Sequence, residues 1–137
     1  MMYKNNPFAL RQNHFNWIGE CGDPDSGQCE FSSVSYAVTA LIKIIMDYAP
    51  EHGIHFLSAA LKYYNFFWNN RNLAISRFDH LWQNTPIDPT TRIERLTEND
   101  LWHIISYMAM INTEYKLAYE DFKLGYEIYA ELKKNAN

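Results

Sequence analysis

The side chains most suited to catalysis or metal binding lie in one short stretch, residues 20–31, which reads ECGDPDSGQCEF. Its two cysteines and its acids could form a disulfide, a metal loop, a catalytic thiol or an acidic contact surface. The spacing does not match a calcium loop that begins at Asp23. Gly27 falls one place short of the sixth position, and Val34 stands where the twelfth-position glutamate belongs. Two cysteines without a CxxC pair supply at most half of a zinc site, so we expect no metal here.

A catalytic thiol is one alternative for this stretch. The sequence SGQCEFSSVSYAV resembles the nucleophile segment of papain-like and OTU-type cysteine proteases, where a cysteine opens the central helix. A helix N-terminus lowers a thiol pKa, so the resemblance implies that Cys29 is a nucleophile. Such enzymes also need a histidine base, usually on a strand, and the later histidines fall in helical patterns. Acidic neighbours would raise the thiol pKa. We therefore expect Cys21 and Cys29 to be reduced and dispensable for activity.

A second enzymatic alternative comes from RNLAIS, residues 71–76. This stretch resembles the nuclease motif of HEPN domains, which is Arg-Asn, three residues, then His. Arg71 and Asn72 match, Ser76 occupies the histidine position, and His80 lies one helical turn further on. The resemblance implies an all-helical ribonuclease, active or degenerate, with His80 in place of the missing acid–base group.

A third cluster is EHGIH, where Glu51, His52 and His55 are close in sequence. Three such side chains would make only a weak metal site. Glu51 is accounted for by the favourable interaction of an acid with the beginning of a helix. We therefore expect the protein to use no metal and no cofactor.

Composition excludes several functional classes. The formal net charge is −4, and the 12 basic residues are scattered without the stripe that nucleic-acid binding requires. The N-terminus lacks the apolar core of a secretory signal, and no uncharged apolar run reaches 18 residues. These features predict a soluble, cytoplasmic protein that binds neither nucleic acid nor membrane. The aromatic fraction of 16% is high, and tyrosine and tryptophan beyond core needs favour an interface.

The secondary structure around these residues is predicted to be helical. Apolar residues recur at spacings of three and four almost throughout, which predicts one all-α domain over residues 1–137. Asn6 and Pro7 would begin a short first helix that ends near Gly19. A second helix would cover residues 31–48 and end at Pro50. Alternatively, Pro50 begins a third helix, which would carry Phe56 and Phe67 beside its apolar stripe and reach Trp68.

The second half of the chain has the clearest local signals. Residues 84–91 form a polar loop with two prolines. Thr97 with Asp100 makes a helix cap, followed by one very long helix or by two helices broken near Asn112 and Thr113. No segment shows convincing period-two alternation, so we expect no sheet. The predicted fold is an irregular bundle of about five helices with a long C-terminal helix.

These observations favour a non-enzymatic binding protein. Acidic surfaces suit basic partners, and tyrosines beside carboxylates are typical of inhibitors of basic enzymes. We interpret the chain as an immunity-type protein that neutralises a bacterial toxin by direct binding, with self-association as a further option. Two surfaces could bind the partner: the loop of residues 20–30 and the last helix. The candidate contact residues are Glu20, Asp23, Asp25, Glu30, Tyr115, Tyr119, Glu120, Asp121, Tyr126 and Glu127.

Overall fold

A nearly all-apolar helix, α1, spans Val34–Lys43 and is buried on most of its sides. Such a helix needs neighbours all round, and the rest of the chain supplies them. The computed structural model describes residues 2–12, 16–23, 25–69 and 76–136. About 60% of the chain is helical, and the predicted all-α, single-domain fold is confirmed.

The other helices follow α1 in chain order. Within the described residues, five helices have seven residues or more, and the longest is at the C-terminus, as predicted. The helices after α1 are α2 (Ala49–Glu51), α3 (Leu57–Tyr63), α4 (Ser76–Asn84), α5 (Glu98–Thr113) and α6 (Tyr119–Asn135). A single 3₁₀ turn, Ile93–Arg95, precedes α5.

Two helices are continued by wider, π-helical turns. The segment Ile44–Tyr48 joins α1 to α2, and Tyr64–Trp68 extends α3. The first lies just before Pro50, whose ring would crowd the carbonyl of Met46 in an ordinary α-helical turn. The wider turn therefore carries the helix through the proline to Glu51, so the prediction that Pro50 ends it is wrong.

The predicted first helix is also wrong. The described part of residues 7–19 forms turns and isolated bridges, including one between Leu10 and Asn69. The reason is the side chain of Asn6, which is fully buried instead of capping a helix. Its Oδ1 accepts a hydrogen bond from the Leu10 N–H (3.1 Å), and its Nδ2 donates to the carbonyls of Leu10 (2.9 Å) and Cys29 (2.8 Å). The two bonds to Leu10 close a turn, and the bond to Cys29 ties that turn to a distant part of the chain.

A small sheet contradicts the expectation that there is none. The strands β1 (Glu20–Cys21) and β2 (Glu30–Phe31) pair antiparallel, with Glu20 opposite Phe31. Two residues per strand are too few to show alternation in a sequence. The acidic loop is therefore the tip of a hairpin.

The last third of the chain forms two helices, which was one of the two alternatives that the sequence left open, and the break lies near Asn112 and Thr113 as that alternative had it. Helix α5 begins with the predicted capping box: the Asp100 N–H donates to Thr97 Oγ1 (3.1 Å), and the Thr97 N–H donates to Asp100 Oδ2 (3.0 Å). It ends at Thr113, after which Glu114 takes a left-handed conformation with φ of 57°. The chain therefore forms two helices, and α6 folds back against α1.

The packing of α6 on α1 depends on a glycine. A Cβ at Gly125 would lie 2.6 Å from the backbone oxygen of Ser35 and 2.6 Å from a methyl carbon of Val38. The carbonyl of Gly125 accepts a hydrogen bond from Thr39 Oγ1 at 2.8 Å. The inner face of α6 is therefore fixed by this contact, and its opposite face points to solvent.

Candidate partner-binding surfaces

The first candidate surface is the hairpin tip, and it is tied to the body of the protein by Gln12. The Gln12 Nε2 donates to the carbonyl of Asp23 (2.8 Å), and its Oε1 accepts from the Gly27 N–H (3.1 Å). Within the tip, Asp23 Oδ1 accepts a hydrogen bond from the Asp25 N–H at 2.9 Å. The tip is therefore a fixed turn in which Asp23 has a structural role.

The four predicted contact acids of the hairpin differ in their accessibility. Asp23 and Asp25 are exposed, whereas Glu20 and Glu30 are half-buried. Glu20 faces inward, because its Oε1 accepts a hydrogen bond from the Trp17 N–H (3.2 Å) and its carboxylate lies beside Cys29. The hairpin therefore offers mainly Asp23 and Asp25 to a partner.

Cys29 is not placed for nucleophilic catalysis. It is fully buried and lies before β2, five positions ahead of the first residue of α1, so it does not open a helix. Burial raises the pKa of its thiol from 9.0 to about 12, and the charge of Glu20 and a hydrogen bond to that carboxylate add to the rise. A thiol with this pKa carries almost no thiolate at neutral pH, which argues against the thiol-enzyme alternative.

This environment leads to a labelling prediction. At neutral pH iodoacetamide is expected to modify the half-buried Cys21 in the native protein and to leave Cys29 unmodified. A pKa rise of this size lowers the thiolate population by about a thousandfold, and burial blocks access as well. Mass spectrometry of native and urea-unfolded samples would measure both sites. Fast native labelling of Cys29 would contradict this placement. A Cys29→Ala variant that kept its melting temperature but lost its function would contradict the expectation that this thiol is dispensable.

The second candidate surface is the outer side of α6. Glu120, Leu124, Glu127 and Glu131 follow one another at spacings of four, three and four, and all are exposed. Residues at these spacings share one side of a helix. Leu124 is 51% exposed, so the row has an apolar side chain between carboxylates. We call these four residues the α6 acidic face.

Tyrosines border this face, as the sequence suggested. Tyr119 is 48% exposed, and its ring packs edge-on against Trp102 with centroids 5.2 Å apart. Tyr126 is half-buried, and Lys123 Nζ lies 6.0 Å above its ring. Lys123 also forms an ion pair of 2.8 Å with Glu98 on α5. These contacts hold the aromatic rings in place beside the acids.

The remaining predicted contact residues lie near the beginning of α6. Tyr115 is half-buried in the connection between α5 and α6, where its N–H donates to the carbonyl of Ala109 at 3.3 Å. Asp121 is half-buried in the first turn of α6, and Glu120 beside it is exposed. Both acids are also favoured there by the helix dipole. Glu127 lies two turns further on, outside that influence.

The inner side of α6 carries a hydrogen-bonded cluster. Tyr129 is buried, and its hydroxyl donates to Asp47 Oδ1 (2.8 Å), which also receives a hydrogen bond from Lys133 Nζ (2.8 Å). Burial raises the pKa of Tyr129 above its usual value of 10.0, and the hydrogen bond and charge of Asp47 add to the rise. The cluster borders an open cleft of about 530 Å³ and ties α6 to the π-helical turn of α1.

A pH dependence of stability follows from Tyr129. Its pKa is higher in the folded than in the unfolded state, so above about pH 10 the unfolded chain loses this proton first. Stability must then fall as pH rises, by up to about 1.4 kcal/mol per pH unit for one proton. Tyr129→Phe should remove that part of the slope, measured by urea unfolding from pH 9 to 12. Tyr119→Phe controls for the loss of an exposed hydroxyl, and an unchanged slope in Tyr129→Phe would contradict the assignment.

The structure shows one surface that sequence reasoning missed. Phe66 is 73% exposed and Phe67 46% exposed, although the helical pattern placed Phe67 beside the core, together with the equally exposed Phe56. The π-helical turn Tyr64–Trp68 changes the rotation of successive side chains, so an α-helical pattern fails there. These rings border a cleft of about 380 Å³, which we call the phenylalanine cleft. Its lining includes Ile54, Ala59, Lys62, Tyr63, Phe66 and Phe67.

The other sequence motifs give no assembled site in the described residues. Arg71 and Asn72 of the HEPN-like motif lie outside the described residues, and His80 is exposed on α4. His52 Nδ1 lies 2.9 Å from the carbonyl of Tyr48. In the part of the chain that the structure describes, no group of three or more His, Cys, Asp or Glu could hold a metal ion. Nor does any helix there combine the length and apolar character needed to span a bilayer.

Comparison with protein-family models and with curated protein sequences gives no match. The function therefore has to be argued from the two acidic surfaces themselves. They differ in one respect that matters for binding: the α6 acidic face has an exposed apolar side chain, Leu124, among its acids.

Proposed function

We propose that this protein is a cytoplasmic, non-enzymatic inhibitor that binds a basic protein partner, in the manner of an immunity protein that neutralises a bacterial toxin. The observation that carries this proposal is the α6 acidic face, where Leu124 and the neighbouring Tyr119 are exposed among carboxylates. Interfaces combine a small apolar or aromatic anchor with a charged rim, and this face has both parts. Its acids would draw in a basic partner and would be repelled by another acidic protein.

The α6 acidic face is a better candidate than the hairpin. In the hairpin, the carboxylate of Glu20 is directed towards Trp17 and Cys29, and Asp23 closes a turn. In α6, the helix backbone is satisfied internally, and Glu120, Leu124 and Glu127 project from a rigid support. Rigid presentation lowers the entropy lost on binding. We therefore place the main contact on α6.

A capture experiment with three baits tests the proposal. Tagged wild-type protein, a Glu120→Lys/Glu127→Lys variant and an Asp23→Lys/Asp25→Lys variant are incubated with lysate of the native host. Both variants lose the same amount of negative charge, so the hairpin variant is a matched control for net charge. We expect a basic protein to be captured by the wild type and the hairpin variant, but not by the α6 variant.

The captured protein must also lose its activity when the inhibitor is added. Capture without inhibition would exclude the inhibitor function, and equal capture by all three baits would exclude the α6 acidic face. Cleavage of RNA or peptide substrates by the purified protein alone would instead favour the enzymatic alternatives.

A further inference from the structure

The phenylalanine cleft is a built surface with aromatic walls. The ring centroids of Tyr63 and Phe67 are 5.1 Å apart, and Phe66 packs against Phe67 at 4.9 Å in an edge-on arrangement. Phe66, at 73% exposure, is more exposed than any other large apolar residue that the structure describes. Exposed aromatic side chains that border a groove mark an interaction site.

The cleft has positive charge at its rim. Lys62 is exposed and contributes to the lining. The guanidinium of Arg11 donates to the carbonyls of Phe66 (3.0 Å) and Phe67 (2.7 Å), which places a second cation at the backbone that carries the two rings. Among the described residues that line the cleft, none is acidic. On a chain with a net charge of −4, this local excess of positive charge favours an acidic occupant.

The α6 acidic face has the complementary chemistry. It is one side of a 17-residue helix, and it presents the half-exposed Leu124 with Glu120 four positions before it and Glu127 three positions after it. An amphipathic helix of this kind can bind in an apolar groove with its leucine against the rings and its carboxylates against the rim cations. We propose that a second copy of this chain inserts its α6 acidic face into the phenylalanine cleft.

The two halves of this contact are different surfaces, so the interface is heterologous. Such contacts either close into a ring or continue as an open chain of copies. Self-association would also cover the face that we assign to the basic partner, so copies bound to one another could not bind that partner at the same time. The inference goes beyond the proposed inhibitor function and does not depend on it, because the purified chain alone tests it.

Sedimentation velocity tests the proposal. At low salt the average mass of the wild type should rise between about 5 and 200 µM protein, the range of a weak contact. It should fall back towards the monomer as added salt screens the charges. Two variants separate the halves of the interface: a cleft variant, Lys62→Glu with Phe66→Ser, and a helix variant, Leu124→Ser with Glu127→Lys. Each alone should remain monomeric.

Mixing the two variants gives the decisive observation. The cleft variant keeps an intact α6 acidic face, and the helix variant keeps an intact cleft, so an equimolar mixture should form a one-to-one complex. Met110→Ser removes another exposed apolar side chain and Asp25→Lys reverses another exposed acid, and both controls should associate like the wild type. Circular dichroism checks that each variant is folded. If the cleft variant is not, Lys62→Glu alone replaces it, since that change affects only an exposed side chain.

Three results would overturn the proposal. The first is a wild type that stays monomeric at the highest concentration in low salt. The second is a helix variant that still self-associates, because the cleft would then bind some other part of the second copy, or a mixture of the two variants that forms no complex. The third is a monomeric wild type that binds vesicles of phosphatidylcholine and phosphatidylserine through Phe66, because the cleft would then serve a membrane surface.

Discussion

Gly125→Ala is expected to lower the free energy of unfolding by about 2 kcal/mol. Alanine is the better helix former by about 1 kcal/mol, so an exposed position would gain stability from this change. At Gly125 the added methyl group would lie 2.6 Å from the backbone oxygen of Ser35, which cannot rotate away as a side chain could. Overpacking of this kind costs about 3 kcal/mol, which exceeds the gain in helix propensity.

Chemical denaturation of Gly125→Ala and of a control measures this effect. Ala130→Gly makes the opposite change at an exposed residue of the same helix. Its free energy of unfolding should fall by about 1 kcal/mol, which measures the helix propensity alone. A Gly125→Ala protein more stable than the wild type would show that α6 does not approach α1 at this point. The position of the α6 acidic face would then be wrong as well.

The second large effect concerns the rate of binding. Reversing Glu120 and Glu127 together is expected to slow association with the basic partner by at least about tenfold at low salt, since electrostatic steering raises association rates by 10 to 1,000-fold. The association rates of the wild type and of this variant should converge as salt approaches 1 M, where the Debye length is about 3 Å. Dissociation should change less, because exposed charges at a rim act mainly on encounter.

The matched control for this effect is the reversal of Asp23 and Asp25. It changes the net charge by the same amount, at exposed positions on the other acidic surface. Surface plasmon resonance at two salt concentrations compares the three proteins. If the hairpin reversal slowed association more than the α6 reversal, the contact would lie at the hairpin. If neither had an effect, charge would not guide this binding.

Locally encoded parts of the fold could be predicted from the sequence. The capping box of Thr97 and Asp100 depends on residues three apart, and polar residues in an apolar pattern marked a break at the end of α5 as one of two alternatives. The sequence also indicated that some tyrosine of the last helix is exposed, because these tyrosines cannot all share one buried side, and the structure shows that Tyr119 is exposed. In each case neighbouring residues determine the structure.

Parts of the fold that depend on distant contacts could not be predicted. Asn6 looked like a helix cap, but it bonds to Cys29, which is 23 positions away. Phe67 looked like a core residue, because a π-helical turn has no signature that an α-helical pattern would show. Glu20 counted as a surface acid until its contacts with Trp17 and Cys29 were visible. The phenylalanine cleft was therefore missed, and the hairpin surface was overestimated.

An inhibition titration measures whether the α6 acidic face blocks a basic partner. The activity of the captured partner is measured against increasing amounts of wild type, the Glu120→Lys/Glu127→Lys variant and the Asp23→Lys/Asp25→Lys variant. We expect complete inhibition at one-to-one stoichiometry by the wild type and by the hairpin variant. The α6 variant should require at least a tenfold excess, equivalent to about 1.4 kcal/mol of binding free energy. Full inhibition by the α6 variant at the wild-type stoichiometry would contradict this expectation.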